Sequence, residues 1–408
     1  MSGMIFSPSR RFAIAPGINS RRQGLSHDPM KIALAHKRLD NKGGTEVDFY
    51  RTASGLREQG HEVHLFCAEF AIEPPPGTYA HRVPVAPMGR TARLWSFAKI
   101  APKIILPHAC DLVVSFGRMV RQDVLRSGGG SHQAFLQKLA AEGGPRRRLW
   151  QSLSPYHRSV LALERRQFQP GNYKRIIAVS AEVKRELLAT YPIPEDKITV
   201  IYNGVDDKRF HLGLREEFRA SIRRQWHIPS DAPVVLFVGS GFRRKGLDRL
   251  LNAWQSPQLK DTYLLVVGDD VKRLRYQARA DERAKGKVIF VGRRYDVESY
   301  YGAADLLALP AVQEAFGNVV LEAAAAGLPA VVSRAVGAAE ILEGRLTEGI
   351  VSRPEDPREI ESKLLSMLAR GRNGDLSVEA RKLAERYSWS RHFSRLEVFL
   401  KETVASHP

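Results

Sequence analysis

Cysteine is nearly missing from these 408 residues: Cys67 and Cys110 allow at most one disulfide and no cysteine-built metal cluster. That usage fits a reducing compartment. Acidic residues are also scarce, with 44 Asp and Glu against 63 Lys and Arg, which leaves a formal charge of +19. Long apolar runs are lacking too. No stretch reaches the roughly 20 uninterrupted apolar residues of a spanning helix. The longest candidate, Ala315 to Val332, is broken by Asn318, Glu322 and Pro329, so any membrane contact is expected to be peripheral. The first 29 residues contain Arg10, Arg11, Arg21 and Arg22 with one acid, Asp28, and have no continuous apolar core of a secretory signal. They read as a flexible basic tail, or as sequence upstream of the true start, because Met30 directly precedes the first strand. The P-loop order is absent, as is a dinucleotide-type G-x-G-x-x-G after the first strand. No internal repeat or low-complexity tract is present.

What remains has the length and balance of a soluble chain with two ordinary domains. Its positive charge is uneven: between Arg90 and Arg185 there are 18 Lys and Arg against 5 Asp and Glu, a net +13. Such a segment either attracts phosphates, whether of nucleic acid, lipid headgroup or phosphorylated glycan, or is a solvated face with no partner.

From Met30 the pattern alternates strand and helix. Lys31 to His36 reads as a strand, Gly43-Gly44 opens a helix to about Gln59, Gly60 stops it, and Glu62 to Cys67 is the next strand. Asp111 to Phe116, Arg175 to Ser180 and Thr199 to Tyr202 continue a parallel sheet. Asp206 to Asp231 is charged, helical in parts, and looks like the hinge and approach to a second unit. A new series then runs through strands at Val234, Tyr263, Val288, Leu306 and Ala330, with helices at Gly246, Asp296 and Gly317. Tyr387 to Val404 is an amphipathic helix with Trp389, Phe393, Leu396, Phe399 and Leu400 on one side. Two doubly wound halves meeting near residue 205 put a ligand site in the cleft between them, beyond the carboxyl ends of the strands.

Three strand-to-helix loops could carry chemistry. In E-A-F-G-N-V-V-L-E, Glu314 to Glu322, the N–H groups of Gly317, Asn318 and Val319 start a helix and face the cleft, where the helix dipole favours an anion. Glu322 could hold a ribose diol, and Glu314 would face the other end of the ligand; the bland alternative is an amphipathic helix with two surface acids. In Gly239 to Gly246, three consecutive cations suit a diphosphate, with Lys245 as point charge and Arg244 as fork, or form a solvated basic loop. Gly43-Gly44-Thr45-Glu46 permits close backbone approach from the opposite wall, or merely a tight turn.

These loops resemble those of the retaining GT-B glycosyltransferases of family 4, from about Met30 onwards. Within that family the chain looks most like the lipopolysaccharide core glucosyltransferases. The resemblance rests on G-G-T-E-V-D-F at Gly43 to Phe49, V-G-S-G-F-R-R-K-G-L-D-R at Val238 to Arg249, and V-G-R at Val291 to Arg293. It rests most of all on E-x7-E with its Gly-Asn-Val centre, followed by A-x-G-L-P at Ala325 to Pro329. It implies an α/β GT-B fold of two Rossmann-like domains facing across a cleft. The expected boundaries are a tail at 1–29, an acceptor-binding domain at 30–205, a nucleotide-sugar domain at 206–385, and a C-terminal helix at 386–408 that crosses back.

By the same resemblance Arg244 and Lys245 neutralise the donor diphosphate, Glu322 holds the ribose, and Glu314 contacts the sugar. Gly317, Asn318 and Val319 donate backbone N–H groups, Arg293 lies near the nucleotide, and Arg209 adds to the phosphate charge. Gly43 and Gly44 close over the donor. His132, in G-G-G-S-H, corresponds to a family histidine near the donor sugar, or is structural. Many relatives carry an arginine directly after the Gly239 equivalent; Ser240 stands there here, which leaves the phosphate role to Arg243, Arg244 or Lys245.

The implied reaction moves a hexose, glucose being expected, from a UDP-linked sugar to a membrane-anchored glycan. No cofactor beyond that co-substrate is expected. Nor is a metal, since no D-x-D motif is present and the cations supply the needed charge; Asp269-Asp270 is a strand-end pair. The expected partners are the nucleotide sugar, a phosphorylated glycolipid acceptor and the anionic inner leaflet. The expected place is cytoplasmic, peripheral to the inner face of the membrane. Arg146 to Arg148 with Trp150, and Arg165-Arg166 with Phe168, would serve that contact. Competing readings are a GT-B-fold epimerase or phosphorylase, or a basic nucleic-acid-binding protein, which would leave Glu314 and Glu322 unexplained.

Overall fold

The computed structural model describes residues 28–40, 43–140, 153–284, 286–371 and 374–406. Residues 1–27, residues 146–148 and Trp150 lie outside them. The chain forms two parallel sheets with helices between the strands. The first sheet has the order β3-β2-β1-β4-β5-β6-β7. Its strands are β1 (Lys31–Leu39), β2 (Glu62–Phe70), β3 (Tyr79–Arg82), β4 (Leu112–Ser115), β5 (Val124–Ser127), β6 (Arg175–Ala178) and β7 (Ile198–Val200). The second has the order β10-β9-β8-β11-β12-β13. It comprises β8 (Val234–Val238), β9 (Tyr263–Val267), β10 (Lys287–Gly292), β11 (Leu306–Leu309), β12 (Ala330–Ser333) and β13 (Ile350–Val351).

The central strands are apolar on both faces because helices cover both. Ile32 to Ala35 of β1 and Val234 to Phe237 of β8 are all fully buried. Three strands escaped the sequence, each for want of an apolar run. β3 is an exposed edge reading Y-A-H-R, β5 contains Arg126, and β13 has two residues. The segment read as a hinge contains the helix Leu214–Gln225. It packs against the helix Val297–Ala303, and its buried Arg223 meets Asp305 at 2.8 Å. Its charge pattern hid a structural ion pair.

The C-terminal helix Trp389–Ala405 returns to the first domain. Leu396, Phe399 and Leu400 join the core that contains Ile32, Leu34 and Leu65. Gly55 makes room for Phe393, since a Cβ there would lie 2.3 Å from the ring. His392 Nδ1 pairs with the Tyr202 carbonyl at 2.7 Å, while its Nε2 is buried with no partner among the described residues. Burial therefore holds this ring far below the usual histidine range, at about 4. An unfolded chain takes up the proton near pH 6.5, which the native state refuses. Stability from this residue is complete above that value and declines as pH falls towards 4. A loss of about 2 kcal/mol is expected at pH 5. Urea titrations at pH 7.5 and 5 should show it, and His392→Asn, which cannot titrate, should flatten the dependence; an unchanged slope would reject this assignment. Among the described residues, no helix is long and apolar enough to cross a membrane.

Candidate active site

Strand order reverses between β8 and β11, and the loops after these two strands are the ones bearing the cations and the E-x7-E element. A reversal of this kind opens a crevice at the carboxyl edge of a parallel sheet. Here the crevice is a cleft of about 640 Å³ lined by both domains. On the second domain's side it is lined by Arg244, Lys245, Arg293, Glu314, Glu322 and the backbone from Gly317 to Val319.

Glu314 organises this wall. Its Oε2 sits 2.8 Å from Arg244 Nη1 and 3.0 Å from Lys245 Nζ. Burial alone would raise its carboxyl, but Lys245 and Arg244 override that and hold it below the ordinary value. The carboxylate thus stays ionised and keeps both cations at the cleft. Gly317 caps the helix Asn318–Ala325 at φ +93°, a left-handed geometry that favours glycine, and a Cβ there would meet Val336 at 2.9 Å. The first helical bond is Val320 N–H to the Gly317 carbonyl. The N–H groups of Gly317, Asn318 and Val319 precede it and have no intrahelical acceptor. One turn on, Glu322 accepts from the Tyr301 hydroxyl at 2.7 Å. Burial pushes its carboxyl above the usual range despite that bond.

The facing wall comes from the first domain. Gly43 precedes the helix Gly44–Glu58 without a side-chain cap, and Gly43, Gly44, Gly128 to Gly130 and His132 line the cleft. The two walls are joined through Asp48. Its Oδ2 accepts from Arg126 Nη2 and Asn203 Nδ2, each at 3.0 Å, and its Oδ1 accepts from Asn318 Nδ2 at 3.0 Å. Asn203 Nδ2 also donates to Asn318 Oδ1 at 2.7 Å. Gln313 reaches Glu186 at 3.1 Å, and Ser180 donates to the Ala315 carbonyl at 2.7 Å, so the second domain's loop is tied down at several points.

The structure brings most of the sequence-derived residues to one cleft and corrects the rest. Arg209 does not line it: its guanidinium is held by Glu298 at 2.6 Å, in the first turn of the helix Val297–Ala303, and by the Tyr295 carbonyl at 2.7 Å on the loop before that helix, partners that its sequence surroundings do not reveal. Arg243 does not line it either, which leaves Arg244 and Lys245. Asn318 contributes backbone only, since its side chain binds Asp48 and Asn203. His132 lines the cleft but is no cation: burial, then Arg118 and His157, hold its ring at about 4, and Nε2 faces His157 Nδ1 at 3.0 Å. Phe168, read as an interface aromatic, is buried and stacks on Tyr191 at 4.5 Å. Asp48, Asn203 and Gln313 were missed as site residues. The one available signal was Asp48 inside G-G-T-E-V-D-F, an acid on an otherwise buried helix face.

Two family models divide the chain at its waist. Glycosyltransferase family 4 matches residues 42–209, and glycosyl transferases group 1 matches residues 218–386. Lipopolysaccharide glucosyltransferase WaaG of Escherichia coli (strain K12) is 28% identical over 333 residues, covering 80% of this chain and 86% of WaaG. The crystal structure of WaaG, a glycosyltransferase involved in lipopolysaccharide biosynthesis, aligns with a TM-score of 0.75 at 25% identity, covering 90% of this chain and 99% of that one. Anabaena HepE, crystallised with UDP and glucose, shares the fold with a TM-score of 0.67 at 19% identity, covering 91% and 99% of the two chains. With one family matched by each half, and both sheets facing a cleft as in WaaG, the chain belongs to the GT-B glycosyltransferases and is a hexosyltransferase related to WaaG.

Proposed function

We propose that the chain transfers glucose from a UDP-linked donor, with retention at the anomeric carbon, to an anionic membrane-anchored glycan of the lipopolysaccharide-core kind. The observation that carries this reading is the convergence of Lys245, Arg244 and the Gly317 helix start on one cleft. Breaking the bond from the anomeric carbon to the phosphate oxygen leaves an oxocarbenium-like sugar, and the electron pair passes to the departing diphosphate. The acceptor hydroxyl oxygen then bonds to the anomeric carbon from the same face, and its proton passes to the departing phosphate. Fixed cations and free N–H groups stabilise that charge without reorganising, typically by a few kcal/mol per donor. Glu314 holds both cations in place and, lining the cleft, contacts the sugar; Glu322 receives the ribose. The names of WaaG and of the HepE complex support a glucosyl group and a uridine carrier.

An anionic acceptor is supported by a second cavity of about 690 Å³ in the first domain, which shares Thr45, Arg118 and Gly128 to Gly130 with the cleft. Lys37, Arg38, Arg90 and Arg93 line it and, with Arg118, outnumber the carboxylates Asp40, Glu46, Glu69 and Glu164 there. It is also lined by Arg126, whose Nε and Nη1 are buried with no partner among the described residues. Outside, Lys99, Lys103, Arg165 and Arg166 are exposed on helices Arg90–Ile105 and Pro155–Gln167, with Met88 and Leu106 bare beside the first. This face suits an anionic bilayer.

A thermal-shift screen across nucleotide sugars tests the donor. UDP-glucose is expected to raise the midpoint most and to be hydrolysed slowly without acceptor; a screen in which no nucleotide sugar binds would end the proposal. For the membrane face, co-sedimentation with vesicles at low salt should rise with anionic lipid content. Binding indifferent to lipid charge would argue against it.

A further inference from the structure

Away from the cleft, at the edge of the first sheet, three histidines meet. His64 lies on β2, His81 on the edge strand β3, and His108 ends the turn Leu106–His108 that follows the helix Arg90–Ile105. Pairing of Phe66 with His81 and of His64 with Tyr79 places His64 and His81 on the same face of the sheet. Their rings stack 5.0 Å apart, and His108 closes on His81 at 4.2 Å. One donor nitrogen from each lies within 4.8 Å of the other two. None of the three lines the cleft.

We propose that His64, His81 and His108 form a binding site for a divalent transition-metal ion of the zinc class, with water as fourth ligand, that pins the edge strand and the adjoining turn to β2. Tetrahedral zinc with Zn–N of about 2.0–2.1 Å needs nitrogens roughly 3.3 Å apart, within reach of small ring rotations here. His64 Nδ1 and His81 Nε2 are already at 2.8 Å, held by a proton that a metal ion would replace. The outer partner of a metal-bound histidine is also present: Glu62 Oε1 accepts from His64 Nε2 at 2.7 Å, which directs Nδ1 inward. Lys31, 3.3 Å from the same carboxylate, opposes a cation and lowers the affinity. His64 is buried while His81 and His108 are half-buried, so an ion can enter from solvent and keep a water. An edge strand tied this way is also less available for pairing with another chain.

The test uses the untagged, metal-stripped full chain. Titration with Co²⁺ should produce the visible absorption of a tetrahedral nitrogen-rich site, Zn²⁺ should bleach it, and a few-fold excess of Zn²⁺ should raise the unfolding midpoint by several degrees. His81→Gln and His108→Gln should each abolish the band and the shift while remaining cooperatively folded; if one fails to fold, the other decides. The proposal is overturned if the wild-type chain gives neither band nor shift, or if both survive in a folded variant, which would place the ion elsewhere.

Discussion

Lys245→Ala is expected to lower kcat/KM by about 10²–10³-fold, the cost of removing one preorganised donor to developing charge. The side chain is only 12% exposed, and its Nζ stands 3.0 Å from Glu314. Its path is set by Gly239, where φ is +137° and a Cβ would lie 2.5 Å from the lysine stem. The cation is therefore held at the cleft before any donor arrives. Arg244→Ala should cost less, because that side chain is 38% exposed and solvent screens it more. Lys245→Arg should rescue only in part, since a forked guanidinium does not fit beside Gly239 as an ammonium does. Steady-state kinetics with the donor, together with the midpoint shift from the nucleoside diphosphate alone, separate binding from chemistry. Unchanged kcat/KM in Lys245→Ala would remove this residue from the mechanism.

Asp48→Ala is expected to cost about 3–5 kcal/mol of stability, because it leaves Arg126 as an uncompensated buried charge. Both side chains are essentially out of solvent, at 5% and 2% exposure. Burial lifts the Asp48 carboxyl above its ordinary range, while Arg126, Asn318 and Asn203 pull the other way. Asn318→Ala severs only the second domain's share of the network and should cost about 1 kcal/mol, the net worth of ordinary hydrogen bonds. Urea titration of both variants gives the comparison. A loss in Asp48→Ala no larger than in Asn318→Ala would mean that the Arg126 charge is compensated by other means. Asn318→Ala also reports on the cleft, since the Asp48–Asn318 bond joins its two walls.

The rhythm of strand, loop and helix was legible from Met30 onwards because it depends on neighbours a few residues apart. Apolar runs mark the doubly covered strands, and glycines stand where a helix begins without a cap. A triple cation on one strand-to-helix loop and a Glu-flanked helix start on another pointed to a diphosphate for the same local reason. Whether those two loops share a pocket depends on strand order, with β8 beside β11, and no local pattern carries that. The same limit explains the corrections. Arg209 found Glu298, 89 positions away, instead of the cleft. Asp48 found Asn318 across 270 positions, and three histidines separated by more than a turn of sequence came together at one edge. A charged or ring side chain in the sequence declares its chemistry but not its partner. Short-range physics determined the elements and the kinds of group available, and the way the two domains close on each other across the cleft decided which charges were neutralised and which were left facing it.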